Sequence, residues 1–429
     1  MWTLCVTSWG LNKQLFKIKP QLKQKEGFQL KPVKIALIGS GKISYTYLNT
    51  LTRGGFSMVD MVGCSDELPE RSKARAEAFG IRQMTNEEIL NDPEIEIVLN
   101  TTQMWNHHKV SRAILEAGKH VYSEKSMDTS FENAKVICDL AEEKGLRFAA
   151  APDTYMGSAY QTARKLIDDG LIGIPLFANA ICFRGYGYHE RDGDFPFPEM
   201  GMKGTSIPYD MAGYYINALV SLLGSVKRVS GYSRFIDERE FTNPNHPRYG
   251  QKVDKKTGPT VAMGCLEFEN NCYANMVMCA EGFGPEIPRV EIFGTEGILT
   301  LPDPNWFGGW GLDVYLNRIG NAERLKMPFT HGFSDADPSN PAISPITGLN
   351  EPAYNSQRGL GVVDMAWAIR RNRTHRNSPE LALHAVEVLG AIDKSMEDNT
   401  VHTMQTRPGR PRPLAAGFFE RSAEAAIDC

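Results

Sequence analysis

Residues 33–38 read Val-Lys-Ile-Ala-Leu-Ile and run without a linker into Gly39-Ser40-Gly41 and then Lys42-Ile43-Ser44. This junction constrains the fold more than any other part of the chain. A short apolar run stopped by glycine has the length and composition of a strand buried on both faces. Turning on Gly-x-Gly from such a strand directly into a helix begins a β–α unit of a parallel sheet. The same junction has a chemical consequence. A glycine turn at a helix N-terminus presents backbone N–H groups and the positive dipole end, which suits a pyrophosphate. Ser44 stands where such turns usually carry a third glycine or an alanine. A second apolar run, Met58–Cys64, leads to Asp66, placed to accept from an adenosine ribose 2′-hydroxyl. Gly39, Gly41, Lys42, Ile43 and Asp66 are therefore expected to hold a dinucleotide, the alternative being an ordinary tight turn.

The pattern repeats through residue 151. Glu70–Phe79 is helical and stops at Gly80. Ile95–Asn100 is a strand, His107–Ala117 a helix stopped by Gly118, His120–Tyr122 a strand, Phe131–Lys144 a helix stopped by Gly145, and Arg147–Ala150 a strand. Repeated strand–helix units closed by glycine predict a doubly wound α/β (Rossmann) domain. After Pro152 the character changes. One amphipathic helix, Ser158–Asp169, precedes strands at Leu176–Phe183, Val226–Phe235, Val261–Phe268, Cys272–Cys279, Arg289–Phe293 and Gly297–Leu301. Tight turns such as Glu269-Asn270-Asn271 predict an open, mainly antiparallel sheet in an α+β domain. Val362–Arg371 and Leu381–Ser395 read as helices returning to the domain boundary. The expected division is 1–30 an N-terminal extension, 31–153 the dinucleotide-binding domain, 154–398 the substrate-binding and oligomerisation domain, and 399–429 a tail that wraps or frays.

Composition excludes several function classes. With 47 basic against 51 acidic residues in 429, the net charge of −4 supplies no basic face for nucleic acid. The tracts Arg370–Arg376 and Arg407–Arg412 read as solvated surface. Eight scattered cysteines without a Cys-x-x-Cys pair read as reduced thiols of a cytoplasmic protein. No apolar stretch approaches the roughly 18–20 residues that span a bilayer, so no membrane association is expected. The histidines lack metal-ligand spacing, His107-His108 being adjacent on a helix, and no Gly-x-Ser-x-Gly elbow occurs.

Two further runs carry chemistry. Ala117–Ser126 puts the pair Glu124-Lys125 just past the C-terminal end of a parallel strand, where open α/β sheets bind ligands. A lysine there donates to a substrate hydroxyl and stabilises charge developing on its oxygen. Tyr209–Leu223 is a helix ended by Gly224, with Asp210, Tyr214 and Asn217 on one face. Three polar groups on one face each need a partner, so core packing alone does not account for them; the alternative is that Asp210 caps the helix and the tyrosines pack.

Taken together these runs resemble the glucose–fructose oxidoreductase / inositol dehydrogenase / MocA family of nicotinamide-dependent oxidoreductases. The resemblance spans roughly Val33 to Ser395. It rests on Gly39-x-Gly41-x-x-Ser44, Asn100-Thr101-Thr102 with His107, Ala117–Val121 with Glu124-Lys125, and Asp210–Gly224. Arg358–Ala366 and Glu380–His384 add to it. It implies substrate in a cleft between the two domains and homo-oligomerisation through the exposed sheet face. It also implies oxidation of a secondary hydroxyl of a sugar, glycoside or cyclitol. By position, Lys125 would touch the reacting hydroxyl, Glu124 would lie near the nicotinamide, Thr101 and His107 would line the cofactor cleft, and Asp210 would orient substrate. Tyr214 falls where the family has its catalytic histidine, and Ser126 where it has proline.

The tyrosine matters because its ordinary pKa is about 10, against a histidine near neutrality. As a base it needs a cation nearby, and Lys125 is the expected one, the two accepting the hydroxyl proton jointly. His189 is the alternative base, in an aromatic and acidic loop (Arg184–Lys203) where Tyr188 could stack on a sugar. Asn217 joins the substrate set. Asp66 favours NAD over NADP, with Arg71 the residue that could soften the preference. The alternatives to a dehydrogenase are an NAD-dependent redox-elimination glycosidase and a non-catalytic dinucleotide-binding regulator.

Overall fold

The computed structural model describes residues 30–183, 206–234, 240, 244, 248–252, 258–280, 290–309, 311, 313–321, 323–335, 358–417 and 427–428. The chain divides into Met1–Lys31 and Pro32–Cys429, and every element below belongs to the second unit. The first sheet holds β1 (Val33–Ile38), β2 (Val59–Ser65), β3 (Arg82–Gln83), β4 (Ile97–Asn100), β5 (His120–Ser123) and β6 (Phe148–Ala150). Their order is β3-β2-β1-β4-β5-β6, and all pairs are parallel. This is the expected doubly wound sheet, with β1 at its centre. Ala36 and Ile38 pack with Val98, Val121 and Phe148 in one core cluster. Ile35 and Leu37, pointing to the other face by the strand period, are equally buried. Both faces are thus covered, as a strand of this composition requires.

The intervening helices are α1 (Ser44–Arg53), α2 (Pro69–Phe79), α3 (Asn86–Asn91), α4 (His107–Glu116) and α5 (Phe131–Glu143). α3 was not expected from periodicity because it is only six residues long. It is held by a capping box in which Thr85 and Glu88 satisfy each other's backbone N–H groups.

α6 (Ser158–Asp168) leads into the second sheet. It contains β7 (Pro175–Phe183), β8 (Val226–Arg234), β9 (Val261–Phe268), β10 (Tyr273–Cys279), β11 (Val290–Gly294), β12 (Gly297–Leu301), β13 (Val314–Arg318), β14 (Leu325–Met327) and β15 (His402–Thr403). The order is β14-β13-β12-β11-β7-β10-β9-β8-β15. It is antiparallel except at its centre, where β10 runs parallel to β7. The strands β14 and β15, three and two residues long, escaped the sequence reading because each is carried by pairing with a neighbour; β13 alternates buried Val314 and Leu316 with more exposed residues and was missed despite that pattern. α7 (Ile207–Leu223), α8 (Leu360–Arg371) and α9 (Pro379–Asp398) complete the unit. α9 packs against α5 and β6 on one side and against α7, β8 and β9 on the other, so it ties the two sheets together. Along β8, β9, β10 and β7 the other sheet face exposes two register pairs, Tyr232 with Met263 and Tyr273 with Phe177.

One expectation needs correction. The tract Arg370–Arg376 is not simply solvated surface. Asp364, fully buried, accepts from Arg373 and from both the backbone N–H and guanidinium of Arg376, while Arg370 pairs with Glu96. The buried guanidinium of Arg376 also donates to the carbonyls of Arg412, Pro413 and Ile427. Consequently the tail through residue 417 wraps rather than frays: His402–Thr403 extends the sheet, and Met404 and Leu414 are buried. Among the described residues no helix is long and apolar enough to cross a membrane.

Candidate active site

The glycine turn lies at the C-terminal edge of the first sheet, between β1 and α1. Gly39 has φ +101°, and a Cβ there would sit 2.6–2.8 Å from the backbone of Thr101 and Thr102. Only glycine lets the turn close onto that neighbouring strand end. Gly41 has open space where its Cβ would be. Its carbonyl is held by Ser44 Oγ (2.6 Å) and by Arg75 Nη2 (3.1 Å), and Arg75 Nε also donates to Ser44 Oγ. α1 starts with no side-chain cap and no acidic residue in its first turn. An uncapped helix start behind an open glycine is a cradle that fits the pyrophosphate of a dinucleotide. Asp66 follows β2 and accepts from the N–H groups of Ser40 (2.7 Å) and Leu68 (2.9 Å). Those bonds fix its carboxylate beside the turn and leave lone pairs for ribose hydroxyls.

The other proposed cofactor residues divide. Lys42 and Arg71 are exposed and Ile43 is half-buried, all near the turn. The arginine that engages the turn is Arg75, one helical turn beyond Arg71, and it is buried. Thr101 Oγ1 donates to the Gly39 carbonyl at 2.7 Å, bracing the turn. His107 is buried, with Nδ1 2.7 Å from the Ser126 carbonyl and Nε2 3.0 Å from that of Thr102. Burial lowers its pKa while the two carbonyls, both acceptors, pull it up; the neutral ring has one N–H and donates to one of them, so it bridges the loops after β4 and β5 with a single hydrogen bond.

At the end of β5, Glu124 is buried and accepts from the Tyr47 hydroxyl (2.7 Å) and the Lys125 N–H (3.0 Å). The Lys125–Ser126 peptide is cis. The Lys125 ammonium donates to the Asp210 carboxylate and, at 3.1 Å, to the Asp210 carbonyl. Both side chains of this pair are largely buried. α7 delivers Asp210 and, one turn on, Tyr214; the Tyr209 hydroxyl donates to Asp393 of α9 and so fixes the start of that helix. Asn217, on the same face, is buried and donates to the Pro152 carbonyl at 3.2 Å.

Tyr214 is buried, and its ring centroid lies 5.4 Å from Lys125 Nζ and 5.3 Å from the guanidinium carbon of Arg358. Both fall within cation–π range. The expectation that a neighbouring cation brings the phenol down needs revision. Burial dominates and raises its pKa; Arg358 and Lys125 pull it down, and Glu124 and Asp210 push it up. The surroundings of Lys125 likewise favour its charged form over the proton-accepting amine. Burial opposes its charge, but Asp210, Tyr214 and Glu124 outweigh that and raise its pKa, so it stays an ammonium donor. His189 and Tyr188 lie outside the described residues.

Arg358 enters the sequence reading only within the Arg358–Ala366 run that adds to the resemblance, not as a site residue. Tyr47 donates to Glu124, Asp153 accepts from the N–H groups of Gly359 and Gly361, and Asn305 accepts from Arg358 through its carbonyl and Oδ1; none of the three was anticipated. Each acts from a segment distant in sequence, and no local pattern announces that.

Comparisons with known proteins give the family and the fold. The family model described as "Oxidoreductase family, NAD-binding Rossmann fold" matches residues 33–151, and the "GFO/IDH/MocA C-terminal domain" matches residues 160–300. Among curated relatives, scyllo-inositol 2-dehydrogenase (NAD(+)) of Bacillus subtilis is 26% identical over 273 residues, covering 63% of this chain and 73% of the relative. Inositol 2-dehydrogenase/D-chiro-inositol 3-dehydrogenase of Lactiplantibacillus plantarum is 29% identical over 274 residues, covering 63% and 71%. Among solved structures, levoglucosan dehydrogenase in complex with NADH shares the fold with a TM-score of 0.70 at 19% identity, over 87% of this chain and 100% of that one.

Proposed function

The chain belongs to the GFO/IDH/MocA family of NAD-binding oxidoreductases, and from that membership we propose that it oxidises a secondary hydroxyl of a sugar, glycoside or cyclitol to a ketone, reversibly. One observation carries the reading: a buried ammonium, carboxylate and phenol converge at the strand-end edge that also holds the dinucleotide cradle. Bound NAD supplies the hydride acceptor at its nicotinamide C4. Lys125, fixed by Asp210, donates to the reacting oxygen and stabilises negative charge growing on it. Tyr214, in its phenolate form, takes the hydroxyl proton as the C–H bond breaks and the carbonyl forms. In the reverse direction the phenol returns that proton. Inositol dehydrogenase relatives support a cyclitol or sugar substrate. The exposed sheet face bearing Tyr232, Met263 and Tyr273 supports assembly of copies through that face.

Single-turnover NAD reduction tests the roles. Tyr214→Phe should lower the hydride-transfer rate about 10²-fold or more, the usual size of general-base catalysis, while NADH still binds. Near-normal transfer in Tyr214→Phe, with loss in His189→Ala, would assign the base to the loop instead. Free sugar released without net NAD reduction would identify the redox-elimination alternative.

A further inference from the structure

Arg358 is a buried cation that the chemistry above does not use. Its Nη2 donates to the Asn305 carbonyl (3.1 Å) and Oδ1 (2.7 Å), and among the described residues it forms no carboxylate ion pair. Burying a guanidinium without an ion-pair partner is costly, yet the local backbone is built to keep it there. Gly359, at φ +110°, precedes α8, and the N–H groups of Gly359 and Gly361 both donate to Asp153 Oδ2 at 2.9 Å. A Cβ on Gly361 would meet the Tyr122 hydroxyl at 2.6 Å, so α8 starts pressed against β5. This anchoring sets Arg358 over the Tyr214 ring. Around that ring the charged groups are Lys125, Glu124, Asp210 and Arg358, and Asp153 and Tyr47 also act on Arg358. Both cations act on the phenol, but Lys125 is hydrogen-bonded to Asp210, whereas Arg358 bonds the Asn305 oxygens and has the larger influence of the two.

We propose that Arg358 is a positioning residue of the proton-transfer site, orienting the Tyr214 ring and stabilising the phenolate that accepts the substrate proton. This rests on Tyr214 being the acceptor, and the test separates the two claims. It needs no covalent step of its own: Arg358 keeps its protons throughout, and only the Tyr214 oxygen gains or loses one.

Two readouts apply to the full chain: the ultraviolet difference titration of the Tyr214 phenolate, isolated by subtracting Tyr214→Phe, and the pH profile of kcat/KM for oxidation. Removing a unit charge this close in a protein-like dielectric should raise the Tyr214 titration by roughly one to two pH units. Arg358→Met should therefore cut the phenolate fraction at a fixed pH below that titration about 10- to 100-fold. Oxidation should fall in parallel, with the NADH Kd unchanged. Arg358→Lys keeps the charge and should recover most of both. Asn305→Ala removes the Oδ1 bond to the guanidinium and leaves the carbonyl bond, so it should give a smaller shift in the same direction. Should Arg358→Met not fold, Asn305→Ala decides the matter against wild type. An unmoved titration in Arg358→Met, or in Asn305→Ala where Arg358→Met does not fold, overturns the proposal. A shifted titration with near-normal turnover in Tyr214→Phe upholds the stabilisation by Arg358 and refutes Tyr214 as base.

Discussion

Replacing Gly39 and Gly41 by alanine, one at a time, separates the folding role of the glycine turn from its binding role. At Gly39, φ is +101° and the new Cβ would lie 2.6 Å from Thr102 N and 2.7 Å from Thr101 C. The left-handed backbone costs an L-residue about 1–2 kcal/mol. Backbone atoms do not swing aside as a side-chain end does, so relieving the overlap adds about 1–3 kcal/mol. A total near 3 kcal/mol, at about 2–3 °C per kcal/mol, lowers Tm by roughly 6–9 °C. At Gly41 the Cβ meets nothing within 4 Å and the backbone needs no left-handed φ. Alanine there should leave Tm unchanged, or raise it slightly by restricting the unfolded chain. Its methyl group does intrude on the space where a pyrophosphate approaches the backbone. NADH titration followed by fluorescence should then show at least a tenfold weaker Kd in Gly41→Ala, equivalent to about 1.4 kcal/mol. Wild-type NADH affinity in Gly41→Ala, or a wild-type Tm in Gly39→Ala, would refute the reasoning at the corresponding glycine.

Three further outcomes are expected. Asp66→Ser should weaken NAD and tighten NADP, each about tenfold or more, because a carboxylate accepts from a ribose 2′-hydroxyl but repels a 2′-phosphate; parallel Kd measurements check it, and unchanged selectivity contradicts it. Oxidation should speed up as pH rises through the alkaline range and reduction should slow, because burial raises the Tyr214 pKa and the base form appears only as that proton leaves; a kcat/KM profile that levels off near neutrality contradicts this. Asp364→Ala strands the guanidinium groups of Arg373 and Arg376, each now paired to it at 2.8 and 2.5 Å. It should cost about 3–5 kcal/mol, read as a lowered Tm with NADH affinity of the folded protein unchanged.

What was legible in the sequence follows from how local each signal is. The Rossmann sheet was readable because its strands other than β3 are short apolar runs and most helices end on glycine, both properties of adjacent residues; β3, the exposed Arg82–Gln83, has no such run and went unread. The i, i+4 spacing of Asp210 and Tyr214 placed them on one face of α7, and the end of β5 placed Lys125. The exact pairing of Lys125 with Asp210 needs two elements from different sheets to meet, which spacing along one chain segment does not encode. The ionisation of Tyr214 was misjudged for the same reason: the sequence reveals a nearby cation but not the burial that outweighs it. Likewise Arg370–Arg376 has the composition of a solvated tract, and only the fold brings the buried Asp364 and the tail carbonyls to it. The short strands β14 and β15 exist through their partners and have no pattern of their own, whereas the alternation of Val314 and Leu316 in β13 was legible and overlooked.

The central claim is that this chain moves hydride between NAD and a secondary hydroxyl at Lys125 and Tyr214. A panel of cyclitols, sugars and glycosides, assayed by the absorbance of reduced nicotinamide with Tyr214→Phe alongside wild type, tests it most directly. The account predicts NAD reduction by at least one member of the panel, with the rate lowered about 10²-fold or more in the variant. Silence across the panel in protein shown to bind NADH, or equal rates in the two proteins, would contradict it.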